Sequence, residues 1–147
     1  MRPPKPLIRA LGRMQAAVYR WTGGRVGGRF GGAQVLLLTT TGRRTGAART
    51  VPVLYIRDGE RYVVVGSQAG HDAHPAWYLN LRARQEATVQ VADRTVSVTA
   101  HDADSADRER LWPLLVAVYP AWSAYRERTA RAFPIVLLTP RPDNDAA

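Results

Sequence analysis

TTTGRRTGAARTVPVLY, residues Thr39 to Tyr55, joins two uncharged, largely apolar or β-branched runs through a glycine-bounded turn. Upstream, Ala33–Thr41 (AQVLLLTTT) stops at Gly42, and downstream Arg49–Arg57 runs to a second turn signal, Asp58-Gly59. Arg61–Ser67 (RYVVVGS) reads as the next strand. Connections this short join antiparallel neighbours, so the three strands form a meander. Pro75 at a first helical position opens Ala76–Ala83, where Trp77, Leu79 and Leu81 imply a mostly buried helix. Thr88–Ala92 and Thr95–Asp102 flank Asp93-Arg94 as a hairpin, with Val89/Val91 and Val96/Val98 alternating against polar neighbours. Ser105 then precedes a helix over Ala106–Val118, with Asp107 and Glu109 in its first turn. A helical stretch, Trp122–Arg131, leads to a last strand, Pro134–Thr139. Antiparallel strands with helices outside them predict an α+β fold, and a small barrel of about six strands would remove exposed edges.

The same turn poses the functional question, because it carries Arg43, Arg44 and Arg49 together with Thr45. A guanidinium is a planar fork of donors suited to phosphate or carboxylate, and glycines let backbone N–H groups approach an anion. A solvated hairpin tip would look the same. Charge is segregated along the chain: the first 57 positions hold eleven Lys or Arg and no acidic residue, within a net charge of +9. Such an excess attracts a polyanion, whether nucleic acid, anionic lipid or a phosphorylated, carboxylate-rich small molecule. No recognised nucleic-acid motif accompanies it, so no nucleic-acid partner is expected.

With 147 residues, 46% of them hydrophobic, the chain supports one domain with its own core. The absence of cysteine excludes disulfides, thiolate metal sites and cysteine nucleophiles, and fits a cytoplasmic protein. No run of about twenty apolar residues is present to span a membrane. Residues 1–32 divide into a basic segment with Leu7, Ile8, Leu11, Met14, Val18 and Trp21 at helical spacing, and a glycine-rich linker, Gly23–Gly32. The helix suits either packing on the domain or peripheral contact with a membrane. Residues 33–140 form the domain, and 141–147 a disordered tail.

Acid–base machinery is sparse. His71 and His74 lack a third nearby ligand, so no metal site is expected, and Ser67 has no G-x-S-x-G context. Tyr119, Trp122 and Tyr125 are three apart and would share a face if Pro120 only kinks the helix. They suit core packing or the wall of a pocket for a flat ligand.

LLLTTTGRRTGAARTVPVLYIRDGERYVVVGSQAGHDAHPAWYLNL, followed by VYPAWSAYRERTARAFPIVLLTP, resembles the deazaflavin-dependent nitroreductase family of oxidoreductases from about Val35 to Pro140. The resemblance implies a split β-barrel like that of FMN-binding proteins, holding coenzyme F420, with FMN as the alternative. It places the coenzyme's phosphate and anionic tail on Arg43, Arg44, Thr45 and Arg49. The ring would lie along Thr50, Val51, Pro52, Val53 and Leu54 and along Val65, Gly66, Ser67 and Gln68. Ala76, Trp77, Tyr78, Leu79 and Asn80 would line the tail side. Tyr119, Trp122 and Tyr125 would wall the substrate over the reactive face, with Trp122 also bordering the coenzyme and Ser67 hydrogen-bonding ring or substrate. The implied reaction is hydride transfer from the reduced coenzyme to a small organic acceptor: a quinone, a nitro compound or an activated alkene. A non-catalytic coenzyme- or lipid-binding barrel is the alternative, and the oligomeric state stays open. Gln68 and Ala69 replace a common Lys-Gly, Trp122 replaces a tyrosine, and Leu54 stands where an aromatic can occur. These departures put a quinone or activated alkene at least level with a nitro compound as acceptor.

Overall fold

The computed structural model describes residues 29–30, 33–67, 73–127 and 132–142. The expected leading helix, most of the glycine-rich linker, Gln68, His71, Asp72 and residues 143–147 lie outside the described residues. In order, the elements are β1 (Arg29–Phe30), β2 (Ala33–Thr41), β3 (Ala48–Asp58), β4 (Arg61–Val65), α1 (Ala76–Ala83), β5 (Glu86–Val91), β6 (Arg94–Asp102), α2 (Ser105–Val118), α3 (Ala121–Glu127) and β7 (Ile135–Pro140).

Every strand pairing is antiparallel, and the sheet order is β1-β2-β3-β4-β7-β6-β5, with β5 returning to pair with β2. The registers Leu36↔Val53, Tyr55↔Val64, Val64↔Val136, Ala100↔Leu138, Val89↔Val96 and Leu38↔Val89 carry one inward-facing set around the whole circuit. Residues directly opposite in an antiparallel ladder share a face, so this register forces Leu36, Leu38, Tyr55, Val64, Val89, Val98 and Leu138 into one interior cluster. The result is a closed six-stranded barrel, the split β-barrel expected, with no free edge between β2 and β5.

Helix α1 closes one end. Trp77, Tyr78 and Leu81 belong to the interior cluster, so three of its eight residues face the lumen. A second cluster lies outside the barrel, where α2 and α3 cover β4 and β7 through Leu111, Leu115, Trp122, Val63, Val65, Ile135 and Leu137. Strand β7 is therefore buried on both faces, which explains its nearly continuous apolar run.

Several boundaries differ from the sequence expectation: β1 (Arg29–Phe30) lies within the expected linker, the β5–β6 turn is Ala92-Asp93 rather than Asp93-Arg94, β4 stops at Val65, and two helix ends differ as well. Asp104, not Ser105, caps α2: its Oδ1 accepts the Asp107 N–H at 2.8 Å. The helix also ends rather than kinks at Pro120. Tyr119 sits at φ −137°, ψ 87°, outside the helical region that a following proline disfavours, and α3 starts afresh at Ala121.

The β3–β4 turn is tied to α2 by charge. Arg110 grips both oxygens of Asp58 at 2.9 Å and also pairs with Asp107, while Arg61 donates to Asp58. The Arg110 and then the Arg61 hydrogen bonds hold the Asp58 carboxyl at about 2, below its ordinary 3.8. A depressed folded value means this stabilisation is present above pH 3.8 and is lost as pH falls towards 2. Circular dichroism during acid titration should therefore show Arg110→Met losing much of the pH dependence of stability between those values. An unchanged pH dependence would remove Arg110 from the linkage.

Candidate functional site

Strand directions bring many of the sequence-predicted residues to one end of the barrel, whereas Val53 and Leu54 pair with Leu36 and Val35 towards the other end. The C-terminal ends of β2, β4 and β6 and the N-terminal ends of β3, β5 and β7 all lie there, as the antiparallel registers require. The arginine turn, Gly66–Ser67, α1, Asp102 and Pro134 therefore share that end.

The turn is tightly closed. Gly42 N–H donates to Ala47 O and Gly46 N–H to Gly42 O, each at 2.8 Å, and Ala47 N–H donates to Thr45 Oγ1 at 3.2 Å. Gly46 has φ +73°, which a side chain would strain. At Gly42 a Cβ would come within 3.1 Å of both Ala47 O and Thr45 Oγ1. It would also lie 3.6 Å from Arg49 Nε, so that side chain folds back over the turn. Arg43, Arg44 and Arg49 are exposed, and none enters an ion pair among the described residues.

Counting the backbone donors identifies what the turn can still bind. Gly42, Arg43, Gly46 and Ala47 have spent their N–H groups inside the protein. Among the described residues, those of Arg44 and Thr45 have no protein partner. Two successive unpartnered amides in a turn that carries three exposed arginines make a donor set for an anion. Such a set fits a phosphodiester with carboxylates better than a neutral ligand.

Behind the turn, the Thr39 and Thr50 hydroxyls meet at 2.7 Å. Alternation divides the next residues: Val51 and Val53 pack on the interior cluster, whereas Thr50, Pro52 and Leu54 belong to the outer face. At the end of β4, Gly66 N–H donates to Pro134 O at 2.9 Å, and a Cβ on Gly66 would come 2.7 Å from Pro134 Cγ. Only glycine fits that approach. Ser67 beside it is buried at 7% exposure.

Helix α1 supplies the other wall. Ala76 is exposed and Leu79 half-buried, while Trp77 and Tyr78 turn inwards and meet edge to face at 6.4 Å. The Tyr78 hydroxyl donates to Asp102 Oδ2 at 3.1 Å, and His74 packs on its ring at 5.0 Å. Burial first, and then the Asp102 carboxylate, push the Tyr78 phenol above its ordinary value. Asn80 is 4% exposed and reaches two partners, Thr40 and the backbone of Arg43. Thr40 and Pro134 were not singled out in the sequence. Thr40 had a signal, since its parity in β2 is that of inward-facing Leu36 and Leu38.

The aromatic trio does not form one stripe. Tyr119 is half-buried at the end of α2, and its ring meets Trp122 edge to face at 5.2 Å. Trp122 is 3% exposed and packs in the outer cluster with Leu111, Leu115 and Phe133. The Tyr125 side chain lies outside what the structure describes.

Comparison with known proteins narrows the class of anion. The family model described as F420H(2)-dependent quinone reductase matches residues 11–140. An F420H(2)-dependent quinone reductase of Mycobacterium tuberculosis strain H37Rv is 40% identical over 136 residues, covering 88% of this chain and 89% of that protein. Among solved structures, an F420-H2 dependent reductase, FDR-A, superposes with a TM-score of 0.65 at 33% identity, over 71% of this chain and 92% of that one. A protein described as a domain-swapped dimer gives a TM-score of 0.68 at 28% identity, over 92% of this chain and 99% of that one. With the match extending from residue 11 to the last strand, the chain belongs to the F420H(2)-dependent quinone reductase family.

Proposed function

We propose that the protein is an oxidoreductase that binds reduced coenzyme F420 and passes its hydride to a quinone. Family membership supports the coenzyme and the acceptor class. The observation on this chain that carries the reading is the arginine turn, whose free donors suit an anionic coenzyme tail. When bound, the reduced coenzyme supplies a hydride, and a quinone that takes it with one proton becomes a hydroquinone.

The chain's own residues then have positional roles. Arg43, Arg44 and Arg49, with the Arg44 and Thr45 amides, hold phosphate and carboxylates away from the reacting carbon, so remote binding energy fixes the ring. Thr50, Pro52 and Leu54 on the outer face of β3, with Val65 at the end of β4 and Gly66, Ser67 and Gln68 after it, border the ring. The side chains of Val51 and Val53 face the core, leaving their backbone for such contact. Ala76, Trp77, Tyr78, Leu79 and Asn80 shape the tail side. Ser67 donates to the ring or to oxygen on the substrate, and Tyr119, Trp122 and Tyr125 bound the substrate. An acid–base set is not required, since the coenzyme carries the hydride and the protein supplies position and field.

Among the described residues no helix is long and apolar enough to cross a membrane. The proposed setting is the cytoplasm, with the basic amphipathic residues before Gly23 meeting the surface of a membrane that stores apolar quinones. Nitro compounds and activated alkenes are further acceptors to screen.

A fluorescence titration with F420, run beside FMN, tests the coenzyme. Saturable micromolar or tighter binding of F420 with weaker FMN binding is expected, because FMN offers a single phosphate to three arginines. FMN binding tighter than F420 would replace the coenzyme, and no binding of either would remove the anchor.

A further inference from the structure

Asn80 is one of only three buried polar residues of the described chain, with Thr40 and Ser67, and it touches another of the three. Its Nδ2 donates to Thr40 Oγ1 at 3.0 Å, and its Oδ1 accepts the Arg43 N–H at 3.0 Å. The amide orientation is unambiguous, because a backbone N–H can only donate and must face the oxygen. One side chain on α1 therefore clamps the last inward residue of β2 and the first arginine of the turn, 40 and 37 positions away in sequence.

That clamp decides which donors remain for a ligand. With the Arg43 N–H bound to Asn80, the Arg44 and Thr45 amides are the pair left without a protein partner. Within the turn, the Gly42–Arg43 peptide is held at its carbonyl by the Gly46 N–H, and Asn80 holds it at its N–H, the bond that docks the turn on α1. Without Asn80 the turn keeps its internal bonds but loses the tie from Arg43 to the barrel end, and fixing the turn's position there would be charged against coenzyme binding.

We propose that Asn80 is a positioning residue: it presets the arginine turn in its anion-binding shape before the coenzyme arrives, and need not touch the coenzyme. This rests on the F420 reading above, and the two can fail separately. Asn80→Ala removes both bonds, and Asn80→Leu does so while keeping the branched four-atom side-chain skeleton should the alanine variant fold poorly. For each, F420 affinity is measured by fluorescence titration, and amide hydrogen exchange is followed by NMR at Arg43 and at the barrel residues Val63 and Val64.

The expected result is a rise of about tenfold in the Kd for F420, equivalent to roughly one hydrogen bond of lost preorganisation. Arg43 exchange should quicken sharply while Val63 and Val64 stay protected. A purely structural role would move the barrel amides as well, and that outcome overturns the proposal. Faster Arg43 exchange with unchanged F420 affinity overturns it too. If the unaltered protein fails to bind F420 while its Arg43 amide is protected by Asn80, the coenzyme reading fails and the clamp stands as architecture alone.

Discussion

Replacing Arg44 and Arg49 together by alanine should raise the Kd for F420 by more than tenfold and leave the unfolding midpoint nearly unchanged. The two guanidinium groups are exposed and enter no ion pair among the described residues, so the fold loses little when they go. The ligand loses two charge-assisted contacts, each contributing ~1.5–3 kcal/mol when well formed. Even half of the lower figure for each gives about tenfold in affinity. Titrating at two salt concentrations sharpens the result, since contacts between exposed charges weaken as the Debye length shortens. The unaltered protein should show a steep salt dependence, and the double variant a shallow one. Equal affinity in both proteins would make the turn an ordinary solvated hairpin tip.

The second large effect falls on stability. Trp122→Ala should cost ~3–5 kcal/mol, because the indole is nearly fully buried and its removal leaves a cavity beneath α3. Urea unfolding followed by circular dichroism reads this directly, with Trp122→Phe expected to recover much of the loss. The same variants separate the two roles open to this residue. A substrate-facing indole would shift turnover and acceptor preference with little change in stability. A packing indole would do the reverse. A loss of stability below ~1 kcal/mol would contradict the packing seen here and leave Trp122 with the substrate role alone.

Much of the fold could be read along the chain because its signals are local. The alternation of Val89/Val91 and Val96/Val98 marks the β5–β6 hairpin, and Gly42, Gly46 and Asp58-Gly59 mark the turns. Helix α1 matches its expected range at both ends, since Pro75 fixes its start. The helix break at Pro120 escaped because the Tyr119, Trp122 and Tyr125 spacing imitates one continuous helix. The local preference of a residue before proline won over that periodicity. The position of β7 between β4 and β6 and the closure of β5 on β2 are long-range pairings that no local pattern announces.

The candidate site divides in the same way. The arginines were visible because charge, glycine and turn chemistry coincide within a few residues. Asn80 was marked only as part of a stretch, because its partners lie 37 and 40 positions away. The bond from Tyr78 to Asp102 spans 24 positions and was equally hidden. Val51 and Val53 show a further division, since the register sends them to the core while Thr50, Pro52 and Leu54 face outwards, within a stretch that the resemblance assigned whole to the ring.

The most direct measurement is a single-turnover reaction of purified protein loaded with reduced F420 and mixed with the soluble quinone menadione. Recovery of the fluorescence of oxidised F420 reports loss of the hydride. The expected result is a fast, protein-dependent recovery with one equivalent of hydroquinone per coenzyme, slowed in the Arg44/Arg49 double variant at subsaturating coenzyme. Tight F420 binding without any recovery, across menadione, nitro compounds and activated alkenes, would contradict hydride transfer and leave a coenzyme-binding barrel that does not turn over.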